Sequence, residues 1–307
     1  MIFCDTARRY FALHTAHTTY QMRVDDEGRL LHLYYGPRTD AAACVAVPHP
    51  DPGCWPNLLP QEWPAPGLAD NHAPFFEPEF ADGTIAAGLS FAGAAVRPGK
   101  YALPGMPAFW SDAPGADTLE ITLRDAAGLT VRLLYGVVED CDLITRAAVV
   151  ENTGSAPLTL RGVPSAVLDF GRKDLDLITF DGEWAAERTP HRAALRPGVQ
   201  MVNSVSGIPA HFHNPSAVVC TPDATETSGS CWGALLVYSG NFRIQAELAS
   251  AGVRLSLGIE PYHFCWTLAP GERFVTPEAA FSYSAAGFGP MSRNFHNAIR
   301  RRQRGRG

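Results

Sequence analysis

Two histidines in the segment His211-Phe212-His213 stand two residues apart, the spacing at which a strand projects both imidazoles from one face toward a shared ion. His191, Asp223 or Glu226 could complete such a site, but none holds a metal-type spacing to the pair, and Pro209 and Pro215 bracket it as a loop. Local hydrogen bonding of these rings outweighs metal binding, and no metal or other cofactor is expected. Glycoside hydrolysis needs two carboxyl groups about 5 to 10 Å apart on rigid elements, one of them kept protonated by apolar surroundings. Glu139, Asp140, Asp142, Asp174 and Asp176 cluster in turns instead, where solvated acids are common, and no pair is singled out.

Acyl-transfer chemistry has less support. The nucleophile pattern G-x-S-x-G is absent, and Ser206-Gly207 and Ser239-Gly240 lack its flanking glycine and following helix. Seven cysteines (Cys4, Cys44, Cys54, Cys141, Cys220, Cys231, Cys265) form no C-x-x-C pair and are odd in number, so they read as scattered reduced thiols rather than disulfides or a zinc site. No Gly-rich loop opens a helix to cradle phosphate. Flat aromatic faces suit sugar rings, and Trp55, Trp63, Trp110 and Trp184 all lie in loop-like sequence, though packing is the commoner role of such residues. Trp232 and Trp266 lie inside strand patterns and are expected in the core.

The elements that must position these groups are strands. Thr118–Arg124 alternates apolar and polar residues, Asp125–Gly128 turns the chain, and Leu129–Val138, Ile144–Asn152 and Leu158–Asp169 continue the pattern as a four-stranded meander. Ala217–Cys220, Ser230–Tyr238, Asn241–Ala249 and Gly252–Ile259 read as hairpins joined at Ser239-Gly240 and Ser250–Gly252. Residues 178–215 and 36–78 read as irregular excursions. One helix is predicted, with Ser292 as its N-cap and Phe295, Ala298 and Ile299 at helical spacing.

Composition agrees. The 307 residues are 46% hydrophobic and carry formal charge −6, which excludes a disordered chain, and 28 Gly with 25 Pro imply many turns. Five arginines fall in the last eight residues, leaving −11 on residues 1–299, so the body repels nucleic acid. No apolar run approaches the roughly 20 residues of a membrane span, and the N-terminus lacks the basic head and apolar segment of a secretory leader. No membrane partner and a cytoplasmic location are expected.

Several motifs together resemble the N-terminal domain of the bacterial α-galactosidases of glycoside hydrolase family 36. They are Leu59-Pro60-Gln61-Glu62-Trp63-Pro64, the strands from Thr118 through Asp142-Leu143-Ile144-Thr145-Arg146, Leu236–Phe242, Gly258-Ile259-Glu260-Pro261, Leu268–Glu272, Thr276–Ala279 and Met291–His296. The resemblance covers about residues 10 to 302 and implies an all-β fold: a β-supersandwich of antiparallel sheets over residues 1–290 with one C-terminal helix. Residues 291–307, the helix and Arg-rich tail, fall where the family's catalytic (β/α)₈ barrel would begin. In the family that barrel holds both catalytic aspartates of a retaining mechanism that releases terminal α-galactose. No catalytic residue carries over here, so this chain alone is expected to be inactive, reading as half of a split enzyme, a frame-broken fragment or a free-standing domain.

The resemblance also implies Trp63 and Asp70 as substrate-binding residues, although the family's Phe-Arg after that aspartate is Asn71-His72 here. Oligomeric members carry a longer loop after the segment matching Leu33–Gly36, with an aspartate aimed at a neighbouring active site; Ala41–Cys44 offers no clear equivalent. The expected partners are an α-galactoside, met only through a barrel, and a second copy or a separately encoded barrel. A free-standing carbohydrate- or partner-binding module is the alternative.

Overall fold

The computed structural model describes residues 1–40, 59–67, 70–111 and 116–304. Strands β1 (Ile2–Asp5), β2 (Tyr10–His14), β3 (Thr18–Val24) and β4 (Leu30–Pro37) form a meander in chain order. A three-stranded sheet has β10 (Leu158–Gly162) between β5 (Glu77–Phe80) and β19 (Trp266–Leu268). A second four-stranded sheet runs β11 (Pro164–Phe170), β18 (Gly252–Ile259), β17 (Phe242–Ala249), β14 (Gly198–Asn203).

The largest sheet has ten strands. Its order begins at β13 (Ala186–Ala194), β12 (Asp176–Glu183), β15 (His213–Cys220), β16 (Cys231–Val237) and β21 (Glu278–Ser284). It continues through β9 (Leu143–Asn152), β8 (Leu129–Val138), β7 (Thr118–Arg124) and β6 (Ser90–Arg97), with β20 (Arg273–Val275) also on β9. Neighbouring strands pair antiparallel throughout, and the single α-helix among the described residues, α1 (Phe288–Arg304), follows β21.

Alternation explains which face each strand buries. Leu119, Ile121 and Leu123 of β7 face the main core with Val131, Leu133 and Tyr135 of β8, while Glu120, Thr122 and Arg124 face outward. Farther along, the outer face is buried as well. Met291, Phe295 and Ala298 of α1 cover Cys220, Cys231, Leu143 and Ala280, and Leu103 and Ala108 cover Leu134, Ala147 and Val149. Gly233 leaves the room that the helix needs, since a Cβ there would lie 2.4 Å from the Met291 sulfur. Strands covered on both faces lose their alternation, which is why β9 reads as a nearly continuous apolar run.

Four sequence expectations change. The run Leu158–Asp169 is two strands in different sheets: β10 ends at Gly162, and a register shift between Pro164 and Ala166 opens β11. Ser239-Gly240 is not a hairpin turn, because β16 and β17 belong to different sheets. Residues 178–215 are not an irregular excursion but contain most of β12, all of β13 and β14 and the start of β15. The helix begins at Phe288, four residues before Ser292. Its first donors are capped from outside: Phe288 N–H donates to the Thr225 carbonyl and Gly289 N–H to that of Glu226, each at 2.9 Å. Ser292 is thus inside the helix, its hydroxyl donating back to the Gly289 carbonyl at 3.1 Å.

Candidate functional site

Asp70 borders a cleft of about 500 Å³ whose walls include Pro66, Phe75, Phe76, His72, Arg161 and Arg254. Its Oδ2 accepts from Arg254 Nη1 at 2.5 Å, and its Oδ1 accepts from the His72 backbone N–H at 3.1 Å and lies 2.6 Å from His72 Nδ1. Arg254, on β18, also donates twice at 2.8 Å to Asp169 directly opposite on β11. Burial alone would raise the Asp70 carboxyl, but the His72 hydrogen bonds and the Arg254 charge hold it down to about 2. The arrangement is an ionised carboxylate with its charge balanced and both oxygens taken by protein donors, which ties the backbone at residues 70–72 to β18 at the cleft wall.

Trp63 does not line that cleft. It is 2% exposed and meets the Phe76 ring at 5.2 Å in an edge-on pair, so it packs beneath the wall that Phe76 forms.

The residue beside it, Glu62, centres a polar network that sequence reasoning missed. Its Oε1 accepts from Tyr20 at 2.5 Å and lies 3.0 Å from His32 Nδ1, and its Oε2 accepts from Tyr135 at 2.8 Å and from Arg146 at 2.6 Å. Arg146 further donates to the carbonyls of Glu62 and Val167. The four partners come from β3, β4, β8 and β9, so this one carboxylate joins the first meander to the ten-stranded sheet. Burial opposes its charge, but Arg146 and the His32 and Tyr20 hydrogen bonds outweigh it and lower the pKa. With both oxygens filled by fixed donors, the group is a structural ion rather than an acid/base catalyst. The available signal was Arg146, a charge inside the run Leu143–Val150, whose other residues are apolar except Thr145.

The profile of the Glycosyl hydrolase family 36 N-terminal domain matches residues 28–269. The chain belongs to this family. It is 41% identical over 97% of its length to the bifunctional α-galactosidase/sucrose kinase AgaSK of Mediterraneibacter gnavus, of which it covers 34%. It is 36% identical over 96% of its length to the α-galactosidase AgaA of Geobacillus stearothermophilus, covering 42% of that protein. The solved galactosidase domain of AgaSK superposes with a TM-score of 0.93 at 39% identity, over 98% of this chain and 44% of the other. The chain therefore spans between a third and a half of the length of these relatives.

Within this family 36 N-terminal domain the other candidate residues are dispersed. Asp140 pairs with Arg301, Asp174 with Arg172, and Asp176 with Arg192. Asp142 is buried rather than a solvated turn acid, accepting from the Thr15 hydroxyl at 2.6 Å and the His17 N–H at 2.8 Å. Glu139 meets the N-terminal amine at 3.3 Å. His211 faces Glu187, while His213 and His191 face Asp181 at 3.2 and 3.7 Å. Among the described residues no three or more His, Cys, Asp or Glu side chains gather as a metal site, and no helix is long and apolar enough to cross a membrane.

The tryptophans separate cleanly. Trp232 is in the core as expected, its Nε1 donating to the Tyr35 carbonyl at 2.9 Å. Trp266 is not, at 51% exposed: it begins the three-residue edge strand β19 and meets the Phe274 ring in a T-shaped pair at 5.4 Å. Trp110 and Trp184 are exposed, and Trp55 lies outside the described residues, as do Cys44 and Cys54. The five described cysteines are free thiols.

Proposed function

We propose that this chain is the non-catalytic N-terminal part of an α-galactosidase-type glycoside hydrolase that removes terminal α-galactose with retention. The carrying observation is that nearly all of it aligns with only the N-terminal portion of relatives named as α-galactosidases. Its role is to pack against a catalytic barrel reached through α1, to form one rim of the pocket and to support oligomerisation, in the cytoplasm. The sandwich ends near residue 290 in this reading. Asp70 is the substrate-side contact at the cleft wall, and Trp63 supports that wall from beneath.

The test is turnover of a chromogenic α-galactoside by the purified chain, alone and mixed with the separately produced remainder of the Geobacillus AgaA protein. Silence alone and activity gained in the mixture support the reading; activity of the chain alone overturns it. Silence in both, with galactoside binding that is lost on Trp184→Ala, favours the alternative of an independent sugar-binding module, for which the exposed Trp110, Trp184 and Trp266 speak.

A further inference from the structure

Strand β15 ends at Cys220 and β16 begins at Cys231, and the two residues stand directly opposite in the antiparallel register. Of the five described cysteines, only these two face each other across a strand pair. Opposite residues project from the same side of a sheet, here the side that α1 covers, and both thiols are fully buried in a cluster with Met291, Phe288 and Phe295. The Thr221 N–H donates to the Ser230 carbonyl at 2.9 Å, which makes that neighbouring pair a hydrogen-bonded one. The two kinds of pair alternate, so Cys220 and Cys231 form a non-hydrogen-bonded pair, with Cα atoms about 4.5 Å apart and side chains close. A disulfide accepts Cα separations from about 4.4 to 6.8 Å. Both thiols are free, and the Cys231 S–H is turned toward the Gly287 carbonyl, donating at 3.2 Å.

That bond ties down the start of α1. Gly287 immediately precedes the helix, and its N–H donates to the Gly229 carbonyl, while the Thr225 and Glu226 carbonyls cap Phe288 and Gly289. All three acceptors lie in the loop 221–230, which the two cysteines bracket. The pair therefore stands at the root of the hairpin that holds the helix start, and one of its thiols supplies a fourth tie. We infer that Cys220 and Cys231 are a reversible redox couple: hydrogen peroxide joins them as a cross-strand disulfide, the tie to Gly287 is lost, and the first turn of α1 loosens.

The chemistry balances with peroxide as the one oxidant. The Cys220 sulfur, its proton lost to water, attacks one peroxide oxygen; the O–O bond breaks, hydroxide leaves and becomes water, and the sulfur carries a hydroxyl. The Cys231 sulfur then attacks the Cys220 sulfur, and its proton leaves with that hydroxyl as a second water. Burial raises both thiols, to about 11 and about 12, with the Arg192 charge drawing that of Cys220 back, so Cys220 is the better first attacker. In a reducing compartment thiols reopen such a bond, as a switch requires. Because the proposed function reaches a catalytic barrel through α1, the couple places that junction under redox control. This consequence rests on that proposal, but the test reads only the couple and the helix, so either can fail alone.

The test is peroxide treatment of the whole reduced chain at neutral pH, followed by unfolding in excess alkylating reagent and mass mapping. The tryptic peptide 193–243 holds both cysteines and is expected to lose two hydrogens and escape alkylation, with reversal by dithiothreitol. Hydrogen exchange at residues 288–292 is expected to be about threefold faster or more in the oxidised than in the reduced chain, as the loss of one weak hydrogen bond allows. Cys231→Ser keeps a donor for the Gly287 carbonyl and cannot form the bond, so its helix exchanges as in the reduced chain with or without peroxide. Cys231→Ala is expected to exchange at the oxidised rate with no oxidant. Any other fate of the two thiols, whether alkylation, added oxygen without linkage or a bond to Cys265, overturns the couple; an internal disulfide that leaves residues 288–292 unchanged overturns its coupling to α1.

Discussion

Arg146 donates to Glu62 at 2.6 Å with both side chains withdrawn from water, and the pair spans 84 positions of sequence. Breaking a buried, hydrogen-bonded pair leaves one charge uncompensated, at a cost of about 3 to 5 kcal/mol. Glu62→Gln and Arg146→Met are each expected to destabilise the fold by that amount in urea denaturation. The double variant is expected to be less damaging than the sum of the two, because neither charge is then left alone.

Acid should release stability through Asp70. Its folded value of about 2 lies below the ordinary 3.8, so the ionised form stabilises the native state. That contribution is fully present above about pH 4 and is lost as pH falls toward 2. At 1.36 kcal/mol per unit it amounts to about 2 kcal/mol. Denaturation midpoints measured from pH 6 to 2 are expected to fall less steeply for Asp70→Asn than for the wild-type chain.

The seat of α1 depends on a missing side chain. Gly233→Val drives carbon into Met291 and Phe295, which must move for the helix to stay. Overpacking of this kind costs about 1 to 3 kcal/mol. Hydrogen exchange is expected to show faster opening of residues 288–301 with β7 and β8 unaffected.

Thiol reactivity should follow burial. Burial pushes the Cys220 thiol up to about 11 and that of Cys231 up to about 12, while Cys265 is exposed. Because the thiolate is the nucleophile, mass mapping after brief alkylation at neutral pH is expected to find Cys265 labelled well before Cys220 and Cys231. Equal labelling would show that α1 lifts readily from the sheet.

The sequence by itself determined the strands whose partners lie next in the chain. β7 and β8 were legible from alternation and β9 from the tight turns that bound it, all of them local properties, and the motifs from Leu59 to His296 made the family recognisable. Only the tertiary structure decided which sheet each strand joins: β10 and β11 part at Val163, and β16 and β17 part at Ser239, because alternation is the same whichever sheet supplies the partner. It alone decided that α1 starts at Phe288, since the capping carbonyls come from residues 225 and 226. The same holds for the candidate site. Asp70 was legible as a residue, but its ionised state depends on the turn that brings His72 back onto it and on Arg254, 184 positions away, and the Glu62 centre exists only where four strands converge. Trp63 took the packing role that is the commoner one for such residues, whereas Trp266 left its expected core setting, because a side chain's exposure is set by what the fold stacks above it, and nothing in neighbouring sequence encodes that.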